Sequence, residues 1–350
     1  MKILINALSG NGDALMFSPS LKILKEKLPD SRIDMLVMFR SVREMYKENP
    51  FLNEIHFIDF LKQSKLRSLS QVRQLSKNEY DISVNVYPAN RLEYNVLNAF
   101  LGAKKKLAHH YLHTDIFRAE FFNDVLIDEV KDRHNVLQNL DLIKKIVNTE
   151  DKEAGPMEIY ISADHQQNAE NWIRENNFEN KRLVGFHPGS SLLKNHIHKR
   201  WDKEKFVHLA GELITKYDAE ILLFGNEFDL NNEIKKGIGN RSHIASGPDY
   251  MDSVARMKYC SLFVSNDTAF LHTSAALKLP VIGIFGYTNY KELFPWKTEY
   301  RIIRKELDCS PCFYNSPKPA QCKWSGDDEF KCMKNISLEE VFKAAGELLR

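Results

Sequence analysis

The stretch LVGFHPGSS, residues 183–191, decides the fold of the second half of the chain. Its first part, Leu183–Phe186, has the short apolar pattern of a buried strand, and a proline and a glycine then end that strand in a loop. The periodic segment Lys203–Lys216 predicts a helix, and the apolar run Glu220–Phe224 predicts a second strand. This order is typical of a parallel sheet with helical crossovers, so we predict an α/β domain.

The same alternation continues on both sides of this unit. Toward the C-terminus it predicts further elements at Met251–Met257, Leu262–Val264, Ala269–Leu277 and Val281–Phe285. In the first half it predicts strands at Lys2–Ala7, Ile33–Met38, Ile55–Ile58 and Ile82–Val86, with a helix at Asn135–Val147. Both halves are therefore predicted to be doubly wound.

A polar segment, Asn148–Pro156, has the composition of an interdomain linker. We place the boundary there, which gives an N-terminal domain over 1–155 and a C-terminal domain over 156–350. The second domain would carry a cysteine-rich loop at 309–332 and end on a helix at Leu338–Leu349. Parallel sheets bind ligands at the carboxyl ends of their strands, so we expect the active site in a cleft between the domains.

Composition limits the classes of partner and location. Of 350 residues, 43% are apolar and 27% charged, as in folded soluble proteins. The 49 basic side chains nearly balance the 47 acidic ones, which argues against a nucleic-acid partner. The N-terminus lacks the apolar stretch of a secretory signal, and no run of about 18 apolar residues occurs. We expect a cytoplasmic protein, with peripheral contact at the inner membrane left open.

Two strand ends in the second half are suited to anions. The loop Pro188–Ser191 offers backbone N–H groups and two hydroxyls, and Lys199 and Arg200 follow it with positive charge. Asp267 and Thr268 lie at a predicted helix start, where N–H groups and the helix dipole favour negative charge. A diphosphate suits both places, although the Pro188–Ser191 motif alone could equally be an ordinary strand-to-helix loop with a solvated Lys199.

Two further side chains could reach the same ligand. Glu227 follows a strand end, the position of acids that bind ribose hydroxyls. His272 lies a little over one helical turn after Asp267. A surface glutamate and a structural histidine are the commoner outcomes for single residues of this kind.

Taken together, these residues resemble the heptosyltransferases of glycosyltransferase family 9. The matching motifs are Gly12-Asp13 with Pro19, then Pro188-Gly189 with Lys199-Arg200-Trp201, and finally Asn266-Asp267-Thr268 with His272 and Pro280. The resemblance spans nearly the whole chain and departs from the family at Ala269, where glycine is usual. It implies the glycosyltransferase B fold, with two Rossmann-like doubly wound domains facing a cleft.

The resemblance also implies inverting transfer of a sugar, typically heptose from ADP-heptose, to a lipopolysaccharide-core or related glycan acceptor. The N-terminal domain would receive the acceptor, and the C-terminal domain would hold the nucleotide sugar. The predicted donor-binding residues are Gly12, Pro188, Gly189, Ser190, Ser191, Arg200, Glu227, Asp267, Thr268, Ala269 and His272. A protein acceptor, or a nucleotide-sugar epimerase on the same fold, remains an alternative, as does a binding protein without turnover.

Two residues are predicted to carry the chemistry. Asp13, on a glycine-flanked loop, would take the proton of the acceptor hydroxyl, its alternative role being a helix N-cap. Lys199 would stabilise the departing diphosphate. The sequence has no Asp-x-Asp motif, so we expect no metal in the transfer step.

Four of the five cysteines are predicted to form a structural metal site: Cys309, Cys312, Cys322 and Cys332. A Cys-x-x-Cys hairpin and two further thiolates can wrap zinc or iron. Iron is indicated by resemblance alone, to protein-modifying heptosyltransferases with a cysteine-held iron near the C-terminus. Two disulfides or free thiols are the alternatives.

The stretch Lys104–His110, with His113, concentrates positive charge in the first half. We interpret it either as a contact for acceptor phosphates or anionic lipid, or as a solvated basic turn.

Overall fold

The computed structural model describes residues 1–113, 117–149, 153–247, 249–314 and 318–349. Within these ranges the chain divides into two units. Unit 1 covers residues 1–160, and unit 2 covers 161–314 and 318–349. The division thus falls after Tyr160, where the sequence placed it after Gly155.

Unit 1 is built on a six-stranded parallel sheet in the order β3-β2-β1-β4-β5-β6. Its strands are β1 (Lys2–Ala7), β2 (Arg32–Val37), β3 (Glu54–Phe57), β4 (Ile82–Asn85), β5 (Lys105–His110) and β6 (Val125–Asp128). Its α-helices are α1 (Asn11–Leu15), α2 (Ser18–Lys27), α3 (Arg40–Tyr46), α4 (Lys65–Ser76), α5 (Leu92–Phe100) and α6 (Asn135–Val147). A 3₁₀ turn covers Glu120–Phe122.

Unit 2 repeats this plan in the order β12-β11-β10-β7-β8-β9, again with every pairing parallel. Its strands are β7 (Arg182–His187), β8 (Ala219–Leu223), β9 (Ser242–Ile244), β10 (Leu262–Asn266), β11 (Val281–Ile284) and β12 (Tyr300–Ile303). The α-helices are α7 (Ala163–Glu175), α8 (Lys203–Tyr217), α9 (Phe228–Ile238), α10 (Tyr250–Met257), α11 (Ala269–Ala276), α12 (Tyr290–Leu293), α13 (Lys331–Lys334) and α14 (Leu338–Leu348). Both units are therefore Rossmann-like, as predicted.

Continuous apolar runs explain why the central segments become strands. In β1 the consecutive residues Ile3, Leu4 and Ile5 are all fully buried, while Lys2 at the strand start is exposed. Neighbouring strand residues point to opposite faces, so burial of all three requires helices on both sides of the sheet. Each such side chain stabilises the fold by about 1.5–3 kcal/mol.

The helices begin where side chains can satisfy their first N–H groups. Asp202 accepts a hydrogen bond from the backbone of Glu204 at the start of α8. Ser337 and Glu340 form a reciprocal capping box that starts α14. These caps account for the predicted helices beginning at Lys203 and Leu338.

A network of buried asparagines fastens α5 to the sheet of unit 1. The amide of Asn6, on β1, donates to the carbonyls of Asn85 and Asn98, each at 3.0 Å. Asn98 donates onward to Asn123 at 2.8 Å, and Asn123 donates to Asn95 at 2.9 Å. Because buried amides are costly without partners, each residue depends on the others. Neither periodicity nor a motif predicts this network.

The basic stretch Lys104–His110 is largely a strand, β5, and not a solvated basic turn. The ammonium groups of Lys104 and Lys106 each lie 2.7 Å from a carboxylate, that of Asp81 and that of Asp124 respectively. Burial lowers the pKa of His109 to about 3, so this imidazole is neutral near pH 7. Two of the three lysines in this stretch therefore have carboxylate partners, while Lys105 is exposed. Contact of this stretch with acceptor phosphates or anionic lipid stays a prediction.

No helix in the described part of the chain is long and apolar enough to cross a bilayer.

Candidate active site

The switch point of unit 2 lies between β7 and β10, where the strand order reverses. Ligands of open α/β sheets bind outside the carboxyl ends of the strands at such a point. The loops that follow β7, β8 and β10 therefore form the candidate site. These loops, with the first turn of α11 that follows the last of them, contain the predicted residues from Pro188 to Arg200, Glu227, and the segment from Asp267 to His272.

Asn266, the last residue of β10, holds the loop that follows β7. Its side-chain amide donates to the carbonyls of Pro188 at 2.9 Å and Gly189 at 3.2 Å. Its carbonyl accepts from the backbone N–H of Trp201 at 3.0 Å. One fully buried side chain thus fixes both ends of the predicted phosphate loop.

Lys199 and Asp267 form a buried ion pair, with the ammonium 2.7 Å from a carboxylate oxygen. Burial opposes ionisation of Asp267, but the charge and hydrogen bond of Lys199 outweigh it and hold the pKa of the carboxyl below its usual value. The predicted leaving-group cation is therefore already paired within unit 2. A diphosphate would share Lys199 with Asp267.

His272 lies on α11 in the same buried surroundings. Burial, with a smaller effect of the Lys199 charge, lowers the pKa of its imidazole to about 4 despite the opposing charge of Asp267. Its Nδ1 atom has no hydrogen-bond partner among the described residues. A neutral imidazole can exchange hydrogen bonds with a ligand but supplies no counter-charge.

Glu227 and Gly189, predicted separately, lie against each other. A Cβ atom on Gly189 would overlap the carboxylate of Glu227, so glycine here makes room for that side chain. A Cβ atom on Gly225, whose φ is +108°, would also overlap this carboxylate, so a second glycine leaves room for the Glu227 side chain. Burial disfavours the charged form of Glu227, but its contact with His187 and, less, with Arg200 lowers the pKa of the carboxyl.

Arg200 and both serines of the loop bond within the loop itself. The Arg200 guanidinium donates to the Ser190 hydroxyl at 3.2 Å and to its carbonyl at 2.9 Å. The Ser191 hydroxyl accepts from the N–H of Leu193 at 3.1 Å. The same guanidinium nitrogen, Nη2, that donates to the Ser190 carbonyl lies 3.8 Å from Oε1 of Glu227, so this cation faces that carboxylate.

Thr268 occupies the N-cap position of α11, but its hydroxyl does not cap the helix. It lies 2.9 Å from Nδ1 of His187 and 3.3 Å from the hydroxyl of Ser265. Thr268 therefore leaves the first N–H groups of α11 uncapped by its side chain, and Ala269 beside it is partly exposed. A helix start of this kind favours an anion.

Comparison with known proteins decides the family. Residues 68–322 match the model described as glycosyltransferase family 9 (heptosyltransferase). This chain belongs to glycosyltransferase family 9. The lipooligosaccharide heptosyltransferase 2 of Campylobacter jejuni is 26% identical over 358 residues, with 100% of this chain and 99% of that protein covered.

Two solved structures show the same fold as this family 9 chain. Escherichia coli ADP-heptose lipopolysaccharide heptosyltransferase II has a TM-score of 0.74 at 19% identity, with 100% of this chain and 98% of that chain covered. The iron-containing dodecameric glycosyltransferase TibC of enterotoxigenic E. coli has a TM-score of 0.59 at 12% identity, with 99% and 78% covered. The predicted glycosyltransferase B fold is confirmed, and family membership makes the chain a nucleotide-sugar glycosyltransferase.

Asp13 of this family 9 enzyme lies in unit 1, in the first turn of α1. The glycine-flanked loop predicted around it is wrong, because Gly12 and Asp13 are both helical. The N-cap role considered for Asp13 is also wrong, since Gly10 occupies that position. Asp13 is partly exposed, and its role as the base stays a prediction.

The four cysteines of the predicted metal site line one cavity of about 290 Å³, together with Lys323 and Lys331. All are free thiols. Their sulfurs do not form a closed tetrahedron: among the described residues, the groups of three potential ligands within 4.8 Å of one another contain no cysteine. Those groups are Asp34 with Glu54 and His56, and His165 with Asp249 and Asp252. Part of the cysteine-rich loop, residues 315–317, lies outside the described residues.

Neither His187 nor Asn266 is among the predicted donor-binding residues, yet each organises the site. His187 contacts Thr268 and Glu227, and Asn266 holds the phosphate loop. Both are the last residue of a buried strand at the switch point. A polar residue at such a strand end is the sequence signal that identifies them.

Proposed function

We propose that this enzyme transfers a heptose, with inversion, from ADP-heptose to the core of a lipopolysaccharide or lipooligosaccharide. The single observation that carries the proposal is the grouping of Lys199–Asp267, Arg200 and Glu227 around the loop after β7. That grouping offers cations for a diphosphate and a carboxylate for a ribose on one sheet edge. The relatives named above supply the sugar and the class of acceptor.

Unit 2 would hold the donor nucleotide. Glu227 would accept hydrogen bonds from ribose hydroxyls, while Lys199, Arg200 and the start of α11 would meet the diphosphate. His272, neutral in its buried position, would exchange a hydrogen bond with the diphosphate or the sugar. Pro188, Gly189, Ser190, Ser191, Thr268 and Ala269 would shape the backbone around these groups.

Unit 1 would receive the acceptor and supply the base. The acceptor hydroxyl oxygen bonds to the anomeric carbon as the bond from that carbon to the diphosphate breaks. The hydroxyl proton passes to the carboxylate of Asp13, and the electron pair of the broken bond stays on the ADP product. Lys199 and Arg200 would stabilise that growing negative charge without a metal ion.

A product assay tests the proposal. Purified protein is incubated with an ADP-, GDP- or UDP-sugar as the donor. The acceptor is a heptose-deficient lipopolysaccharide core, a protein, or none. Mass spectrometry then measures the masses of the products. A mass gain of one heptose on the core, from ADP-heptose, is the expected result. Conversion of the sugar nucleotide without acceptor would indicate an epimerase, and labelling of the protein alone would indicate a protein heptosyltransferase.

A structural zinc or iron at the four cysteines is part of this proposal. The observation that supports it is that all four thiols line one cavity in unit 2, and four thiolates can hold zinc or iron in a tetrahedral site. Four thiolates around a divalent ion carry a net charge of −2, and Lys323 and Lys331 line the same cavity with two positive charges. Cys309, Cys312, Cys322 and Cys332 would fill the coordination sphere, which leaves the ion a structural role.

A further inference from the structure

The surface of α4 in unit 1 combines exposed leucines with exposed cations. Leu61 is 64% exposed, Leu66 81% and Leu69 51%. The cations around them, all exposed, are Lys62, Lys65, Arg67, Arg73 and Lys77. We call this set of eight residues the α4 surface.

The positive charge of the α4 surface is not compensated locally. The sequence has no aspartate or glutamate between Asp59 and Glu79. None of the five cations forms an ion pair with another residue in the described ranges. This differs from Lys104–His110, where two of the lysines lie against carboxylates.

The helix separates a buried face from the leucines. Ser68, Val72 and Leu75 are buried and recur at the spacing of one helical face. Leu66, Leu69 and Arg73, at i, i+3 and i+7, recur on another face, which is exposed. The leucines are therefore free of the unit's core.

The neighbouring helix adds to the exposed apolar area. α5 packs against α4, and Phe100 at its C-terminal end is 61% exposed. The three leucines and five uncompensated cations of the α4 surface form a mixed apolar and cationic surface in their own right. Exposure of apolar side chains to water is unfavourable, so a surface of this kind is typical of an interaction site.

We propose that the α4 surface docks on an anionic lipid bilayer. Lysine and arginine would meet the phosphate headgroups, while Leu61, Leu66 and Leu69 enter the headgroup boundary. A second copy of this chain fits less well, because two surfaces with five uncompensated cations each would repel. Nucleic acid fits less well, since its phosphates offer nothing to exposed leucines. The inference goes beyond sugar transfer and does not depend on it.

Sedimentation with lipid vesicles tests this inference on the full chain. Wild-type protein should bind vesicles that contain phosphatidylglycerol, bind pure phosphatidylcholine vesicles far less, and lose most of its binding as salt rises to about 0.5 M. The triple variant Lys65→Gln/Arg67→Gln/Arg73→Gln should weaken binding about 100-fold, or about fivefold per lost cation. Salt screens the charged contacts but not the burial of leucines in the bilayer. The double variant Leu66→Ser/Leu69→Ser should therefore lower the vesicle binding that the wild type retains at high salt.

Matched controls separate docking from misfolding and from total charge. Lys235→Gln/Lys236→Gln removes two cations from α9 in unit 2 and should leave vesicle binding unchanged. Far-UV circular dichroism and thermal unfolding check that each variant folds. Equal binding of all variants to the anionic vesicles, or no binding by the wild type, would overturn the inference.

Two other outcomes would also overturn it. If the leucine variant changed the oligomeric state in analytical ultracentrifugation but not vesicle binding, the surface would join copies of this chain. If soluble phosphorylated core glycan bound to the α4 surface while vesicles did not, it would be a glycan subsite. Vesicle binding is measured without a sugar donor, so its result is separate from that of the product assay.

Discussion

The ammonium of Lys199 lies 2.7 Å from the carboxylate of Asp267, although 68 positions separate them in the chain. This pair joins the loop after β7 to the end of β10, and both side chains are largely buried. A buried ion pair of this kind makes Lys199 a structural residue as well as a candidate for donor binding. The two roles can be separated experimentally.

Lys199→Ala should destabilise unit 2 and weaken donor binding together. Removal of one partner leaves Asp267 buried and uncompensated, which typically costs about 3–5 kcal/mol. Urea denaturation measures the loss of stability, and calorimetry with ADP measures binding. Asp267→Asn on the same background should restore part of the stability but not the affinity. Full affinity in Lys199→Ala would remove this cation from the donor site.

Gly189→Ala should act through Glu227. The new methyl group overlaps the Glu227 carboxylate, which is the mobile end of a side chain, so folding should change little while the carboxylate is displaced. If Glu227 binds the ribose, Glu227→Ala should weaken ADP affinity by about 10- to 100-fold, the effect of hydrogen bonds to a charged group. Gly189→Ala should resemble it, and the double variant should be no worse than either single one.

Gly211→Ala is the control for that cycle. Gly211 lies within α8 with open space where a methyl group would be added. Alanine there should stabilise the helix by up to about 1 kcal/mol and leave ADP affinity unchanged. If the losses of ADP affinity in Gly189→Ala and Glu227→Ala added up in the double variant, Gly189→Ala would not act through its contact with Glu227.

Asp13→Asn should lower the rate of transfer about 10²- to 10⁴-fold and leave donor affinity nearly unchanged. The amide keeps the shape of the side chain but cannot take the proton. Single-turnover kinetics with ADP-heptose measure the rate. Asp164→Asn, also in the first turn of a helix, is the matched control for loss of a carboxylate near a helix start. Near-normal turnover in Asp13→Asn would eliminate Asp13 as the base.

Protein purified without added metal under anaerobic conditions should contain close to one equivalent of zinc plus iron. Serine substitutions at Cys309, Cys312, Cys322 or Cys332 should each lower that content and the thermal stability, because thiolate binding and folding are coupled. Cys260→Ala is the control, since this thiol lies in an apolar core cluster of unit 2. Elemental analysis measures the metal content. Less than about a tenth of an equivalent of zinc plus iron in the wild-type protein would argue against the site. The transfer rate at short times should resist EDTA.

Acid should destabilise the protein through two buried histidines, His109 and His272, and the half-buried His196. The pKa of His109 and of His196 is lowered by burial to about 3, and that of His272 to about 4, against an ordinary value of 6.5. Below pH 6.5 the unfolded chain binds protons that the folded chain does not, so the free energy of unfolding falls as pH decreases toward 4.

The His109→Gln variant isolates one of these groups. Its plot of unfolding free energy against pH should be shallower than that of the wild type by up to about 1.4 kcal/mol per pH unit between pH 6 and 4.5. Urea denaturation at several pH values gives the slope, and His208→Gln, at an exposed histidine, is the control. Identical slopes for His109→Gln and wild type would contradict a neutral buried His109.

The strands at the centre of each sheet could be predicted because they are buried on both faces. β7, for example, was predicted as Leu183–Phe186 and covers Arg182–His187. β5, with the sequence KKLAHH, was not predicted, because its lysines suggested solvent and only the tertiary structure supplies their carboxylate partners. β9, the three residues Ser242–Ile244, is too short and polar for an apolar pattern to reveal.

Much of the candidate site was predicted as a list of residues but not as a set of contacts. Motif position identified Lys199, Asp267, Gly189 and Glu227 individually. It could not show that Lys199 is paired with Asp267, or that Gly189 is a glycine because Glu227 occupies the adjoining space. Such contacts depend on which strand ends are neighbours. The order of strands in the sheet decides this, and it differs from their order in the sequence.

The buried asparagines of unit 1 also restrict how this enzyme can diverge. Replacing Asn98 alone by leucine would remove the partner of the Asn123 carbonyl and of the Ser83 hydroxyl, and one of the two acceptors of the Asn6 amide. Replacing the whole set by apolar residues would leave no asparagine amide unpaired, and would remove only the bonds that the set makes to its neighbours, such as Ser83 and Arg118. Substitutions at these positions are therefore strongly epistatic, and each intermediate sequence is less stable than either end point. We expect descendants of this protein to keep the asparagines together or to lose them together.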